Sequence, residues 1–284
     1  MMDYVTLNNG VKMPKLGFGV FQIPDLVESE KIVTEALKAG YRLIDTAPGY
    51  LNEEAVGKSI AKSGIPREEI FVTTKLWLQD AGYEATKKAF QRQLDKLGLD
   101  YLDLYLIHVP FNDYYGSWRA MEELYKEGKI RAIGVSNFSE DRLVDLIVNN
   151  EIKPAINQIE IHPLRQQRRA LEVMEEYGVQ PEAWAPFAEG NGNIFQNEIL
   201  KEIAEKYGKS PAQVILRWQL QRDTVVIPKS ANVDRMKQNI DVFDFELSQE
   251  DMDEIKLLET GFKIIDHLTA DIAKSFNEVR YPEK

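Results

Sequence analysis

Short, almost wholly apolar runs recur along the chain, and longer stretches with apolar residues every three or four positions lie between them. The short runs are Leu16–Phe18, Arg42–Ile44, Ile70–Thr74, Leu102–Ile107, Ile130–Val135, Ala155–Ile159, Val179–Trp184 and Thr224–Ile227. A strand covered on both faces needs no polar alternation, so these runs predict buried parallel strands. Among the longer stretches, Glu28–Ala39 gathers Ile32, Val33, Ala36 and Leu37 on one helical face and then meets Gly40, suited to the left-handed turn that ends a helix. Tyr83–Leu97 repeats the pattern before Gly98, and Ser117–Glu127 repeats it before Gly128. Ser210-Pro211-Ala212-Gln213 reads as a capping box with proline at the first helical position. Eight alternations of strand and helix within 284 residues, with no linker between them, predict an α/β fold: a closed (β/α)8 TIM barrel. An open doubly wound sheet is the alternative. No Pro-, Gly- or Ser-rich boundary divides the chain, so residues 1–284 are expected to form one domain. Val5–Met13 stands apart: Asn9-Gly10 between apolar residues signals a β-hairpin, placed as a plug under the barrel.

Composition narrows the class. Hydrophobic residues make up 44% and charged residues 29%, enough apolar material for a large core. The net charge of −11 argues against a nucleic-acid partner, which needs a basic footprint, and means that an anionic ligand must find local positive charge. Cysteine is absent, which removes disulfides, thiolate nucleophiles and Cys-based metal sites. No apolar run of about 18 residues predicts a membrane span, and the first residues do not read as a secretory signal. A cytoplasmic protein is expected.

In a barrel of this kind the chemistry collects where the strands finish, because the loops there share one face. The predicted strands finish at Asp45, at Lys75, at His108, at Ser136-Asn137, past Gln158 and Glu160, at Trp184 and at Lys229. Taken singly, Asp45 reads equally as a turn residue, Lys75 as a solvated lysine and His108 as a core histidine. Taken together on one face they make chemical sense. A lysine ammonium beside an aspartate is a positioned ion pair. A tyrosine near it is expected to have its pKa lowered from about 10, which makes it a usable proton donor near neutral pH. Tyr50 lies five residues past Asp45, in the same loop. A neutral His108 could aim a substrate oxygen.

These residues resemble the aldo-keto reductase family over essentially the whole chain, nearest the bacterial 2,5-diketogluconate reductase and prostaglandin F synthase-like branch. The likeness rests on Asp45-Thr46-Ala47 with Tyr50-Leu51-Asn52-Glu53, on Thr74-Lys75-Leu76-Trp77, on Leu106-Ile107-His108, on Gly134-Val135-Ser136-Asn137-Phe138 and on Ile227-Pro228-Lys229-Ser230. The resemblance implies NADPH-dependent reduction of aldehydes and ketones with no metal. Tyr50 would protonate the carbonyl oxygen, Lys75 held by Asp45 would tune it, and His108 would orient the substrate. It implies Ser136, Asn137 and Gln158 at the nicotinamide carboxamide and Trp184 stacked on the nicotinamide ring. Lys229, Ser230 and Arg235 would lie at the adenosine 2′-phosphate and the adenine, and Asn239 on the adenine. It also implies a monomer and a C-terminal tail, Phe262–Lys284, at the pocket rim. The positive charge of Lys229 and Arg235 on an acidic protein favours NADPH over NADH. The substrate pocket is expected to involve Phe21, Trp77 and Phe111 with Val20 at its edge. Gly17-Phe18-Gly19-Val20-Phe21-Gln22 lacks the third glycine of a dinucleotide-binding loop and is not read as one.

Three positions depart from the family pattern, and two of them bear on function. Val109 follows the histidine where tryptophan is usual, so a larger or reshaped pocket wall is expected there. Ala185 stands where the branch has serine, in Trp184-Ala185-Pro186-Phe187, which removes a possible pyrophosphate contact. Leu164 replaces a tyrosine without evident consequence. Two other readings remain at this point. One is an NADP(H)-binding sensor on the same scaffold. The other is a metal-dependent barrel hydrolase or isomerase using His108, His162, Glu160 and Asp45, which has few histidines to draw on.

Overall fold

The computed structural model describes residues 2–282. β1 (Tyr4–Thr6) and β2 (Lys12–Pro14) form the antiparallel hairpin, with Val5 opposite Met13. Leu7 and Met13 are buried against Leu43, Phe71, Leu104 and Ile156 at the floor of the main sheet, so the hairpin closes the barrel from below.

The main sheet has eight parallel strands in chain order: β3 (Phe18–Gly19), β4 (Leu43–Asp45), β5 (Phe71–Leu76), β6 (Leu102–Ile107), β7 (Ile130–Ser136), β8 (Ile156–Glu160), β9 (Gln180–Trp184) and β10 (Val225–Val226). Leu16 bridges Val226 in parallel, and the Gly17 N–H donates to the Val226 carbonyl at 2.8 Å, which joins the last strand to the first. The sheet therefore closes into the predicted barrel.

The helices are α1 (Leu26–Lys38), α2 (Glu53–Lys62), α3 (Tyr83–Leu97), α4 (Tyr114–Lys126), α5 (Glu140–Val148), α6 (Arg168–Tyr177), α7 (Glu198–Tyr207), α8 (Pro211–Gln221), α9 (Val233–Ile240), α10 (Gln249–Lys256) and α11 (Ala270–Glu278). α3 ends at Gly98 in the left-handed conformation, as its sequence predicts, and α8 carries the Ser210–Gln213 capping box. α4 starts three residues earlier than the apolar period suggests. Asp113 caps it by accepting the Gly116 N–H at 2.8 Å.

The strand limits shift in a way that matters. β4 and β5 each continue past their apolar runs, with Asp45 paired to Thr73 and Lys75 to Leu106. These two charged residues thus lie within strands, not in the loops after them. β3 and β10 are shorter than predicted, two residues each. Side chains along a strand alternate between faces. Asp45 therefore shares the interior face with Leu43, Lys75 with Phe71, and Gln158 with Ile156. The barrel interior is apolar below and polar above. Gly134 serves this packing: a Cβ there would sit 2.8 Å from both the Ile156 carbonyl oxygen and a Leu106 methyl carbon.

Candidate active site

The polar upper end of the barrel is built around a buried ion pair. Lys75 and Asp45 are almost fully buried, with Lys75 Nζ 2.6 Å from Asp45 Oδ1. Lys75 Nζ also donates to the Thr46 carbonyl at 3.0 Å. Its backbone carbonyl accepts from the Gln93 amide at 2.8 Å, and the same amide donates to Glu53, which also accepts the Thr74 hydroxyl. Burial pushes the Glu53 carboxyl up.

Tyr50 reaches this pair on a 3-10 turn, Pro48–Tyr50. Asn52 fixes the turn from behind. Its amide donates to the carbonyls of Val20 and Ile23 at 2.9 and 3.0 Å, and its Oδ1 accepts the Thr46 hydroxyl at 2.9 Å. The spacing Asp45-Thr46 to Asn52-Glu53 is thus one interlocked unit, and it puts the Tyr50 hydroxyl 3.4 Å from Lys75 Nζ. His108, just past β6, stands edge-on to Tyr50 with ring centroids 6.1 Å apart and edge-on to Trp77 at 5.2 Å. The phenol, ammonium, carboxylate and imidazole therefore meet at one place.

Their charge states follow from burial and mutual fields. Desolvation pulls the Lys75 pKa down, but the Asp45 carboxylate and the Tyr50 oxygen outweigh it and hold lysine charged. Burial, followed by the repulsion of Lys75, holds His108 well below the ordinary histidine range, so it is neutral. The expectation that Tyr50 is acidified needs correction. Burial raises its pKa, and the pull of Lys75 offsets only part of that rise. In the protein alone the phenol is held firmly protonated.

The residues matched to the nicotinamide lie on adjoining strand ends. Asn137, left-handed at φ +62°, donates to the His108 carbonyl and to Ser136 Oγ, both at 3.0 Å, and its Oδ1 accepts the Trp184 indole N–H at 2.9 Å. It clamps Trp184 to the His108 backbone. Ser136 Oγ donates to the Gln158 carbonyl at 2.9 Å. Gln158 Nε2 donates to Asp45 Oδ2 at 2.9 Å and to Glu182 Oε2 at 3.0 Å, which leaves its Oε1 to meet a donor such as a carboxamide N–H. Lys229 and Arg235 are exposed. Ser230 is tied into a turn with Asn232, whose side chain caps α9 by accepting the Arg235 N–H at 2.9 Å. Arg235 and the buried Asn239 follow each other one turn apart on α9. Two cations at a helix start suit an anion.

Of the residues expected at the substrate pocket, Phe21 is half-exposed and packs on Tyr50 with centroids 5.0 Å apart. Trp77 lies over His108, and Phe111 contacts Phe276. Val20 is a correction. It is fully buried in the outer core with its backbone bound by Asn52 and Asp45, not at a pocket edge. The wall beside Val109, expected to be larger or reshaped, is covered by the C-terminal tail. Val109 is buried in a cluster with Trp77 and Leu78, and Phe276, Val279 and Tyr281 of the tail pack against that cluster.

The tail supplies residues that sequence reasoning did not name. The Trp77 indole donates to the Val279 carbonyl at 3.3 Å, and the Gln79 side chain binds both backbone groups of Tyr281, at 3.1 and 2.7 Å. Glu160 accepts from the Ile264 and Ile265 N–H groups and from His162. His267, pushed down to about 4 by burial, stands edge-on to Trp184. The four residues weighed as metal ligands are divided between separate partners, Asp45 with Lys75 and Glu160 with His162. Among the described residues no group of three or more His, Asp or Glu is placed to hold a metal ion.

The family model described as aldo/keto reductase matches residues 15–259. The chain belongs to the aldo/keto reductase family. It is 53% identical over 265 residues to a glyoxal reductase of Bacillus subtilis, covering 93% of this chain and 95% of that one. It is 44% identical over 266 residues to the methylglyoxal reductase DkgA of Escherichia coli, covering 92% and 94%. Among solved structures, an aldo-keto reductase from a deep-sea metagenome superposes with a TM-score of 0.91 at 44% identity, covering 98% of this chain and all of that one. A Bombyx mori aldo-keto reductase in complex with NADP superposes with a TM-score of 0.90 at 34% identity, covering 100% and 98%. In the present chain the turn just after β9 carries Ala185, which adopts φ +47° and whose carbonyl accepts the Ala188 N–H at 2.9 Å. The lost hydroxyl therefore falls at a sharp turn beside Trp184.

Proposed function

We propose that this aldo/keto reductase reduces aldehydes and ketones to alcohols with NADPH, and that Tyr50 is its proton donor. The observation that carries the reading is the Tyr50 hydroxyl 3.4 Å from a buried, Asp45-paired Lys75, beside a neutral imidazole. The free Gln158 Oε1, the flat Trp184 ring and the cations at the start of α9 fit a nicotinamide dinucleotide carrying an extra phosphate. NADPH supplies a hydride to the carbonyl carbon when bound. His108 positions the carbonyl oxygen, and Tyr50 gives that oxygen its proton as charge develops there. Lys75 stabilises the phenolate left behind. Asp45 keeps Lys75 charged and in place.

The likeness to glyoxal and methylglyoxal reductases supports small dicarbonyl aldehydes as substrates. Purified protein is expected to oxidise NADPH with glyoxal and methylglyoxal. Binding of NADPH without turnover on any aldehyde or ketone would instead indicate a sensor. The chain is proposed to work as a single-domain monomer in the cytoplasm, with no nucleic-acid partner. Its net charge of −11 opposes self-association, and gel filtration at the mass of one chain checks the monomer. Among the described residues no helix is long and apolar enough to cross a membrane.

Two predictions test the cofactor residues. Lys229→Ala should weaken NADPH by about 10- to 100-fold, the loss of one charge-assisted hydrogen bond of roughly 1.5–3 kcal/mol, and leave NADH within about two-fold. Equal losses for both cofactors would place the 2′-phosphate elsewhere. Ala185→Ser should tighten NADPH by roughly 0.5–1.5 kcal/mol, one ordinary hydrogen bond. An unchanged dissociation constant in a fluorescence titration would remove the pyrophosphate contact from the account.

A further inference from the structure

One acid in the barrel interior has no part in the reaction described so far. Glu182 lies in the middle of β9, two residues before Trp184, and is fully buried. On β8, Gln158 is its direct cross-strand neighbour. The Gln158 amide donates one N–H to Glu182 Oε2 at 3.0 Å and the other to Asp45 Oδ2 at 2.9 Å. The other Asp45 oxygen holds Lys75 at 2.6 Å, and Lys75 stands 3.4 Å from the Tyr50 hydroxyl. The bonds thus form one chain, Glu182–Gln158–Asp45–Lys75–Tyr50, from the barrel interior to the reacting oxygen. We propose that Glu182 is a positioning residue for the reduction, which orients the Gln158 amide and, through Asp45 and Lys75, sets the acidity of the Tyr50 phenol. The proposal rests on the reading of Tyr50 as proton donor.

The elements around Glu182 leave it few partners. The charged groups that face it are Asp45 from β4 and Lys75 from β5. Gln158 from β8 is uncharged, and β10 presents the apolar Val225 opposite it. Glu182 Oε1 is buried without a hydrogen-bond partner. Two carboxylates and one ammonium share this water-poor space, so an ionised Glu182 leaves it one negative charge in excess. Burial and the Asp45 charge accordingly push the Glu182 carboxyl up, to about 8. Above that range Glu182 is an anion whose field strengthens the hold of Lys75 on its proton and opposes ionisation of Tyr50. The second effect keeps the proton donor loaded at alkaline pH, and the first keeps Lys75 charged to stabilise the phenolate once the proton has left. The same hydrogen bond keeps both Gln158 N–H groups turned inward, which leaves Oε1 as its free polar atom.

The test is the alkaline limb of kcat/KM for aldehyde reduction in wild type, Glu182→Gln and Glu182→Asp, with Tyr50→Phe run in parallel. Glu182→Gln keeps an oxygen for the Gln158 amide and removes the charge. Its limb should move to lower pH by roughly 0.5–1 unit, the size expected of one charge acting over several ångströms at an effective dielectric near 20. Glu182→Asp retains the charge and should restore the wild-type limb, a result that a packing defect would not produce. A Glu182→Gln limb that overlays wild type while Tyr50→Phe abolishes turnover would overturn this proposal alone. Full turnover in Tyr50→Phe would overturn the proton-donor reading itself. Thermal unfolding of the unligated protein gives an independent reading. The Glu182 carboxyl is raised above its unfolded value of about 4.5, so its contribution is complete below that pH and is lost as pH rises through the folded value. The stability of wild type relative to Glu182→Gln should therefore fall between about pH 4.5 and 8. A pH-independent difference would mean that Glu182 stays neutral and would sink the proposal.

Discussion

Tyr50→Phe should lower kcat for aldehyde reduction by about 100- to 10,000-fold, the span typical of losing a positioned general acid. The ring itself is retained, and with it the packing on Phe21 and the edge contact with His108. The only group removed is the hydroxyl that faces Lys75. In the proposed reaction that hydroxyl acts on the substrate oxygen and not on the cofactor, so NADPH affinity should stay within about two-fold of wild type. A fall in affinity matching the fall in kcat would mean that the phenol holds the cofactor rather than the substrate oxygen. Stopped-flow measurement on preformed NADPH complexes separates the two, because it reads hydride transfer apart from binding.

Lys75→Met should be at least as severe, and by two routes. Removing the ammonium leaves Asp45 as a buried carboxylate with only the Gln158 N–H for company. Breaking a buried pair in this way typically costs about 3–5 kcal/mol. The loss should appear in urea unfolding. Turnover should fall as well, because Lys75 is what counters the rise that burial imposes on the Tyr50 pKa. The two effects are separable. In the double variant Asp45→Asn, Lys75→Met no charge is stranded, so much of the stability should return. Activity should not, since the cation beside the phenol is still missing. Recovery of both together would show that Lys75 serves folding alone.

Much of this site can be read from the chain before any coordinates. Runs such as Leu102–Ile107 predict strands because both faces of an interior strand must be apolar. Asp45, Lys75 and His108 each have an ordinary structural reading alone, and they stand out because three such groups follow apolar runs whose ends share one face of the barrel. Tyr50 is suggested by its place in the loop after Asp45, whereas Asn52 enters only within the motif that carries the family resemblance, and its bonds to Val20, Ile23 and Thr46 show what it does there. Other features depend on what lies across the barrel. Val20 sits next to Phe21 in sequence, yet in the turn that follows β3 one is buried in the core and the other is half-exposed against Tyr50. The Tyr50 pKa depends on the balance of two opposing effects. Lys75 is visible in the sequence, whereas the degree of burial is not. Glu182 carries a faint signal, a charged residue in a strand whose neighbours are meant to be covered, but its tie to Gln158 and Asp45 exists only once β4, β8 and β9 are curled together. Tail residues such as Phe276 and Tyr281 belong to no repeat, so nothing in the periodicity brings them to Trp77.

The most direct test of Tyr50 as the proton-transfer group is the pH dependence of kcat/KM in both directions, aldehyde reduction with NADPH and alcohol oxidation with NADP+. A phenol that must be protonated to reduce must be ionised to oxidise. Reduction should therefore fall and oxidation should rise on alkaline titration, and neither limb should persist in the residual activity of Tyr50→Phe. Parallel profiles in the two directions, or limbs that survive in Tyr50→Phe, would contradict the assignment.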